Sequence, residues 1–158
     1  MDPALVLRPL DAGDLDLICT HRRLMFGESG RPAEVLAAMA DPFRAWLTPR
    51  LADGSYFGWA IESGGDVVAG LGMMVIDWPP HPSHPTDGRR GYILNVFVDP
   101  LHRGRGLAKR LMAEAEAEAE RRGLSYLILH ATKAGRPLYE GLGWDATSEM
   151  AKLLPISR

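Results

Sequence analysis

The chain has 158 residues, of which 46% are hydrophobic and 24% charged, and a net charge of −2. That length suits a single domain over 1–158 with a real core, and the near-neutral balance argues against a general nucleic-acid binder. The single cysteine, Cys19, excludes a disulfide within the chain and makes a structural zinc site improbable, so no metal is expected.

No apolar run approaches the roughly 20 residues of a membrane span. Met1-Asp-Pro-Ala lacks the basic and apolar regions of a signal peptide. The expectation is a cytoplasmic protein that does not bind membranes.

Leu5 to Leu10 reads as a first strand, and Asp11 as a helix cap. Leu15, Ile18, Arg22 and Met25 follow at helical spacing. Gly27 to Gly30 breaks that pattern. A second helix starts near Pro32 with the stripe Val35, Leu36, Met39, Phe43, Trp46 and Leu47, and Pro42 should interrupt or kink it. Tyr56 to Glu62 is a strand, Ser63-Gly-Gly-Asp66 a hairpin turn, and Val67 to Ile76 the returning strand with Gly70 and Gly72 as bulge points.

The stretch Asp77 to Arg90 carries Pro79, Pro80, Pro82 and Pro85 with His81 and His84 among them. It is expected as an irregular functional loop. Tyr92 to Val98 is an apolar strand interrupted by one polar residue, Asn95, either satisfied internally or pointing into a cleft. Leu107 to Arg122 is a helix ended by Gly123, with Glu118 placed to pair with Arg122. Tyr126 to His130 is a strand, Arg136 to Leu142 a short helix, and Trp144 to Leu154 one or two closing strands.

Between the Tyr92–Val98 strand and the long helix lies His102-Arg-Gly-Arg-Gly-Leu-Ala-Lys-Arg110. Cations at a helix N-terminus oppose the macrodipole, which favours anions there. The arrangement makes sense if a multiply charged anion binds free N–H groups at the turn. Neither a Walker A motif nor a Rossmann fingerprint is present: no Lys-Ser/Thr follows the glycines, and Lys109 stands where the third Rossmann glycine belongs.

Val98-Asp-Pro-Leu-His-Arg-Gly-Arg-Gly-Leu-Ala108 resembles the acetyl-CoA signature of the GNAT superfamily of N-acetyltransferases, with Arg103, Gly106 and Ala108 in its fixed positions. Gly135-Arg-Pro-Leu-Tyr-Glu-Gly-Leu-Gly-Trp144 is similar to the family's second landmark. The resemblance implies an α/β (α+β) GNAT fold. Its mixed, mostly antiparallel sheet would have six to seven strands, flanked by about four helices, with parallel strands splayed at a cofactor cleft. It further implies acetyl-CoA as co-substrate, with Val96, Phe97 and Val98 along the pantetheine and Arg103, Gly104, Arg105, Gly106, Leu107, Ala108 and Lys109 around the pyrophosphate. Thr132 stands where many members carry an Asn that contacts the cofactor or orders the loop.

By the same resemblance Tyr139 is the general acid for the departing thiolate, and the Val98 amide polarises the thioester carbonyl. A phenol with a pKa of about 10 can donate to a thiolate whose thiol has a pKa of about 8.5. An alkyl ammonium is only about 0.04% neutral at pH 7, so a base or a water chain must take its proton. Asp77, His81, His84, Glu28 and His130 are the candidate bases; Asn95 could hold a water. Phe26, Phe43 and Trp46 are candidates for lining an acceptor site. The reaction implied is direct attack by a small-molecule or peptide amine in a ternary complex; the alternative is a non-catalytic CoA-binding regulatory module. A homodimer stays open.

Overall fold

The computed structural model describes residues 3–156; the ends of the expected 1–158 domain lie outside them. The elements run β1 (Leu5–Pro9), α1 (Leu15–Glu28), α2 (Ala33–Asp53), β2 (Tyr56–Ser63), β3 (Asp66–Asp77), β4 (Arg89–Val98), α3 (Leu107–Arg121), β5 (Leu127–Leu129) and α4 (Arg136–Gly141). Among the described residues they form one five-stranded sheet in the order β1-β2-β3-β4-β5. The first four strands pair antiparallel, and β5 joins β4 in parallel after the α3 crossover.

Each face of the sheet buries one apolar cluster. On one face α3 presents Leu107, Leu111, Met112, Ala115 and Ala119 to Trp59, Ile61, Leu71, Met73 and Ile93. This is the stripe of an amphipathic helix, with its Glu and Arg residues on the opposite, exposed side. On the other face α1 and α2 close over the sheet through Ile18, Phe43, Leu47, Leu51 and Tyr56.

Helix α2 differs from expectation. It runs unbroken from Ala33 to Asp53 with both Pro42 and Pro49 inside it. Each proline removes one helical hydrogen bond and crowds the preceding turn. Phe43, Leu47 and Leu51 nevertheless make one buried row against the sheet, and that burial outweighs the local cost.

The sheet also has five strands where six to seven were expected. Residues 144–154, read as closing strands, have no strand assignment. Met150, Leu153 and Ile156 are 93%, 96% and 82% exposed. An apolar pattern supplies a face for burial but not the partner edge that makes a strand. The segment is tied back by His130 Nδ1 and Glu149 Oε2, 3.2 Å apart.

The N-terminal strand is anchored by charge. Arg8 donates to both carboxylate oxygens of Asp14, at 2.8 and 2.9 Å, and to Glu62 on β2 at 2.7 Å. Asp14 is buried and also accepts from the Asp11 N–H, while Asp11 accepts from Gly13, closing the turn that starts α1. The Arg8 guanidinium holds the Asp14 carboxyl below its usual range despite burial. Arg8→Met should therefore strand a buried carboxylate and lower stability by about 2 kcal/mol in urea titrations; an unchanged midpoint would show that Asp14 is solvated from elsewhere.

Candidate functional site

The site is organised by an irregularity in β4. Gly72 of β3 is in register with Leu94 and Gly70 with Phe97, so Asn95 and Val96 together face the single residue Leu71. This is a β-bulge. Asn95 takes a left-handed φ of +56°, the only positive φ at a non-glycine among the described residues. Asn tolerates that region better than other side chains do. Both ends of its buried amide are used: Oδ1 accepts from Arg22 Nη1 at 2.7 Å and Nδ2 donates to the Tyr56 hydroxyl at 2.9 Å. Of the two readings for Asn95, internal satisfaction is the one the geometry meets. Gly72 makes room for this arrangement, since a Cβ there would overlap the Tyr56 hydroxyl.

The extra residue inverts the alternation of the strand. Before it, Ile93 faces α3 and Leu94 faces α2; after it, Val96 and Val98 face α3 and Phe97 stacks on His21 of α1. Backbone direction changes with it. The Asp99 N–H donates to Val68 O at 2.8 Å, which makes Val98 and Ala69 a non-hydrogen-bonded pair. The Val98 amide groups, and those of Val96 two residues before, are thus turned away from β3. On that side β5 pairs with β4 only over Gly91 to Ile93. Beyond Ile93 the two parallel strands have no pairing and leave a gap. Phe97, expected along this gap, is instead in register with Gly70 and turns its side chain to the α1 face.

The glycine turn lies at the end of β4. Gly104 and Gly106 have φ of +79° and +75°, and a Cβ at either would meet nothing within 4 Å. Gly106 caps α3 without any side-chain cap, and the first helical N–H to find a partner is that of Arg110, on Gly106 O at 3.0 Å. The N–H groups of Leu107, Ala108 and Lys109 before it are therefore uncapped. No acidic residue occupies this first turn. Arg105, Lys109 and Arg110 are exposed around it. Such a row of donors, flanked by cations, is a site for a phosphate group. Arg103 is braced: Nε donates to Val98 O at 3.0 Å, and Nη2 lies 2.7 Å from both oxygens of Glu28 at the end of α1.

Tyr139 on α4 is half-buried, with its ring edge-on to Trp144 at 6.4 Å between centroids. Burial pushes its phenol up. Thr132 accepts from the Gly135 N–H at 3.0 Å, and its carbonyl accepts from Arg136 at 3.0 Å. It thereby sets the entry to the helix that carries Tyr139.

The proline-rich stretch is an ordered plug. His81 and His84 exchange backbone hydrogen bonds at 3.3 and 2.8 Å. His84 is 2% exposed; its Nδ1 lies 2.8 Å from Asp87 O and its Nε2 accepts from Arg90 at 2.9 Å. Arg90 is clasped between Trp78 and Tyr126 at 4.2 and 4.6 Å. His81 Nδ1 accepts from the Ser83 N–H at 3.0 Å. Asp77 is exposed and in register with Arg89. All of these sit at the start of β4, about 16 Å of strand from the bulge. Glu28 is held by Arg103. His130, beside Tyr92 at 5.7 Å between ring centroids and paired with Glu149, is the candidate base that stands at the β4–β5 gap.

Three residues escaped the sequence reading. Tyr56 and His21 look like ordinary amphipathic positions. Arg22 left a trace, because it put a cation on the apolar stripe of α1. Phe43 and Trp46 belong to the core cluster on that face, and the Phe26 and Phe43 rings flank the Arg22 guanidinium. Among the described residues no helix is long and apolar enough to cross a membrane, and no group of three or more His, Cys, Asp or Glu is placed to hold a metal.

Residues 20–144 match the model of the Acetyltransferase (GNAT) family. A crystal structure of a GCN5-related N-acetyltransferase from Ralstonia eutropha JMP134 superposes with a TM-score of 0.95 at 58% identity, covering 96% of this chain and 99% of that one. A predicted acetyltransferase from Clostridium acetobutylicum, crystallised with acetyl-CoA, superposes at 0.86 with 27% identity and 96% of each chain. A mouse protein, probable N-acetyltransferase family 8 member 5, is 30% identical over 73% of this chain. The match spans 48% of that relative's length, about half, as it does for other curated relatives.

His21 bears on acid stability. Burial between Gly70 and Phe97 lowers its imidazole to about 4 from 6.5. The unfolded chain therefore takes up a proton below pH 6.5 that the folded chain refuses until about pH 4. The contribution of neutral His21 is complete above pH 6.5 and is lost progressively toward pH 4, by about 3 kcal/mol at most. Denaturation midpoints should fall over that window and fall less in His21→Gln; identical slopes would mean His21 is solvated.

Proposed function

Because the chain belongs to the GNAT family of acetyltransferases, we propose that it is an N-acetyltransferase, moving the acetyl group of acetyl-CoA to a primary amine by direct attack in a ternary complex. The observation that carries this reading is the juxtaposition of two unfilled backbone surfaces. The β4 edge beyond Ile93 suits an extended amide chain, and the uncapped start of α3 beside it suits a diphosphate. Pantetheine joined to a pyrophosphate has that shape.

Acetyl-CoA supplies the activated thioester. The chain contributes placement and charge. Val96 and the Val98 N–H offer backbone groups along the gap, the Val98 carbonyl being held by Arg103. Leu107, Ala108 and Lys109 offer N–H donors at the turn, with Arg105, Lys109 and Arg110 adding positive charge. Arg103 holds the turn against β4 and α1 rather than reaching outward. The Val98 N–H is the donor available to the acyl oxygen as negative charge develops on it.

Tyr139 supplies the proton to the leaving sulfur. Its raised phenol keeps that proton in place at neutral pH until charge appears beside it. The amine must be neutral to attack, and we assign its deprotonation to the His130–Glu149 pair, directly or through water. His81 and His84 are committed to the plug at the far end of β4. Cys19 lies outside the glycine turn and the β4 edge and packs with the α1–α2 cluster, so this reading involves no acyl-enzyme.

Tyr139→Phe should lower kcat in a thiol-release assay by about 10²-fold while calorimetric affinity for acetyl-CoA stays unchanged; unaltered turnover would place the acid elsewhere. Gly106→Trp should abolish acetyl-CoA binding in a protein that still melts cooperatively, since the left-handed φ costs about 1–2 kcal/mol. Retained affinity would move the phosphates away from this turn.

A further inference from the structure

Arg22 is a half-buried cation that meets no carboxylate among the described residues. It projects from α1 at the end of the β4–β5 gap nearest the bulge. Nη1 is spent on Asn95. Nε is buried without a partner. Nη2 makes no hydrogen bond among the described residues and is not one of their buried orphan atoms, so it reaches the surface. Arg8, Arg103 and Arg136 each meet a carboxylate; no ion pair of the described residues includes Arg22. The ring centroids of Phe26 and Phe43 lie 4.9 and 4.6 Å from its guanidinium carbon, so aromatic rings rather than acids surround the charge. Nη2 is therefore the donor of Arg22 left accessible, and a charged N–H donor suits a carboxylate oxygen.

We propose that the amine acceptor of this enzyme is an amino carboxylate whose carboxylate docks on Nη2 of Arg22. The inference rests on the N-acetyltransferase reading given above. The geometry of the rest of the gap fits the other end of such a molecule. Arg22 and Glu149 are both near enough to the Tyr92 phenol to act on it, with opposite signs. His130, which pairs with Glu149, stands edge-on to the Tyr92 ring. Positive charge on α1 and a His–Glu pair beyond β5 thus both come near Tyr92, and a zwitterion held at Arg22 by its carboxylate would offer its amine to His130. A carboxylate fits better than a phosphate because Arg22 brings a single positive charge. A dianion held by one cation would keep excess charge in a partly buried site.

The test is a thiol-release assay with acetyl-CoA and acceptors in matched pairs: α-amino acids, β-alanine and 4-aminobutyrate against their primary amides, with phosphoethanolamine beside them. The wild type should prefer at least one acid over its amide by tenfold or more in kcat/KM. Arg22→Met keeps the side chain between the two phenylalanines and removes the charge. It also takes the partner from Asn95 Oδ1, so turnover of the amide should fall too, but kcat/KM for the acid should fall further, by at least the wild-type preference and through KM. Turnover without a carboxylate preference, equal loss for acid and amide in Arg22→Met, or a preference for phosphoethanolamine would overturn this inference alone. Absence of thiol release with every amine, from wild-type protein that binds acetyl-CoA, would overturn the N-acetyltransferase reading and this inference with it. The wild-type comparison decides the matter even if Arg22→Met does not fold.

Discussion

One residue more on β4 than on β3 governs the geometry of the candidate site. Without the bulge at Asn95 and Val96, the side chains of β4 would alternate evenly and the backbone of Val98 would bond to β3. With it, Leu94 and Phe97 cover the α1–α2 face, and Val96 and Val98 turn their amides into the gap that β5 leaves. The bulge is held by buried polar bonds from two other elements, Arg22 on α1 and Tyr56 on β2. A buried amide satisfied at both ends fixes one arrangement, since any shift would leave a donor or acceptor without a partner. The gap, the α1 helix and the sheet core are therefore one mechanical unit.

Charge is distributed around that unit in two ways. Where a bond serves the fold, cation and anion are paired: Arg8 with Asp14 and Glu62, Arg103 with Glu28, Arg122 with Glu118 at 3.1 Å. Where the fold leaves cations without acids, at Arg105, Lys109 and Arg110 around the α3 start and at Arg22 beside the bulge, the positions flank the gap from its two ends. Pairing of Arg103 with Glu28 has a second effect: it ties the end of α1 to the glycine turn, so the helix that carries Arg22 and the turn that begins α3 are set relative to each other.

His84 shows how the fold can engage a histidine that the sequence marks as a candidate base. Histidine titrates near neutrality, and loops often hold catalytic groups. Here four prolines restrict the chain enough for His81 and His84 to bridge each other, and Arg90 between Trp78 and Tyr126 completes the seal. What decides the role of such a histidine is whether both ring nitrogens are already engaged, and for His84 they are. Thr132 illustrates the reverse case. A residue that departs from the family pattern keeps half of the expected role, ordering the loop through Gly135.

The sequence by itself determined the helices and strands with strong periodicity, the turns marked by glycine, the α3 start with its uncapped donors and surplus cations, and the resemblance to the GNAT superfamily. These are local properties, written in spacing and in residue types that permit a given φ. The tertiary structure alone decided that Asn95 bulges β4, that Val96 and Val98 rather than Phe97 turn their side chains to the α3 face, that Arg22 lies beside the bulge without an acid, and that residues 144–154 form no paired strand here. Each of these depends on a partner far away in the chain: Asn95 on Arg22 and Tyr56, Phe97 on His21, a strand on an edge to pair with. Hydrogen bonding and burial between distant segments have no period, so no window of sequence carries them.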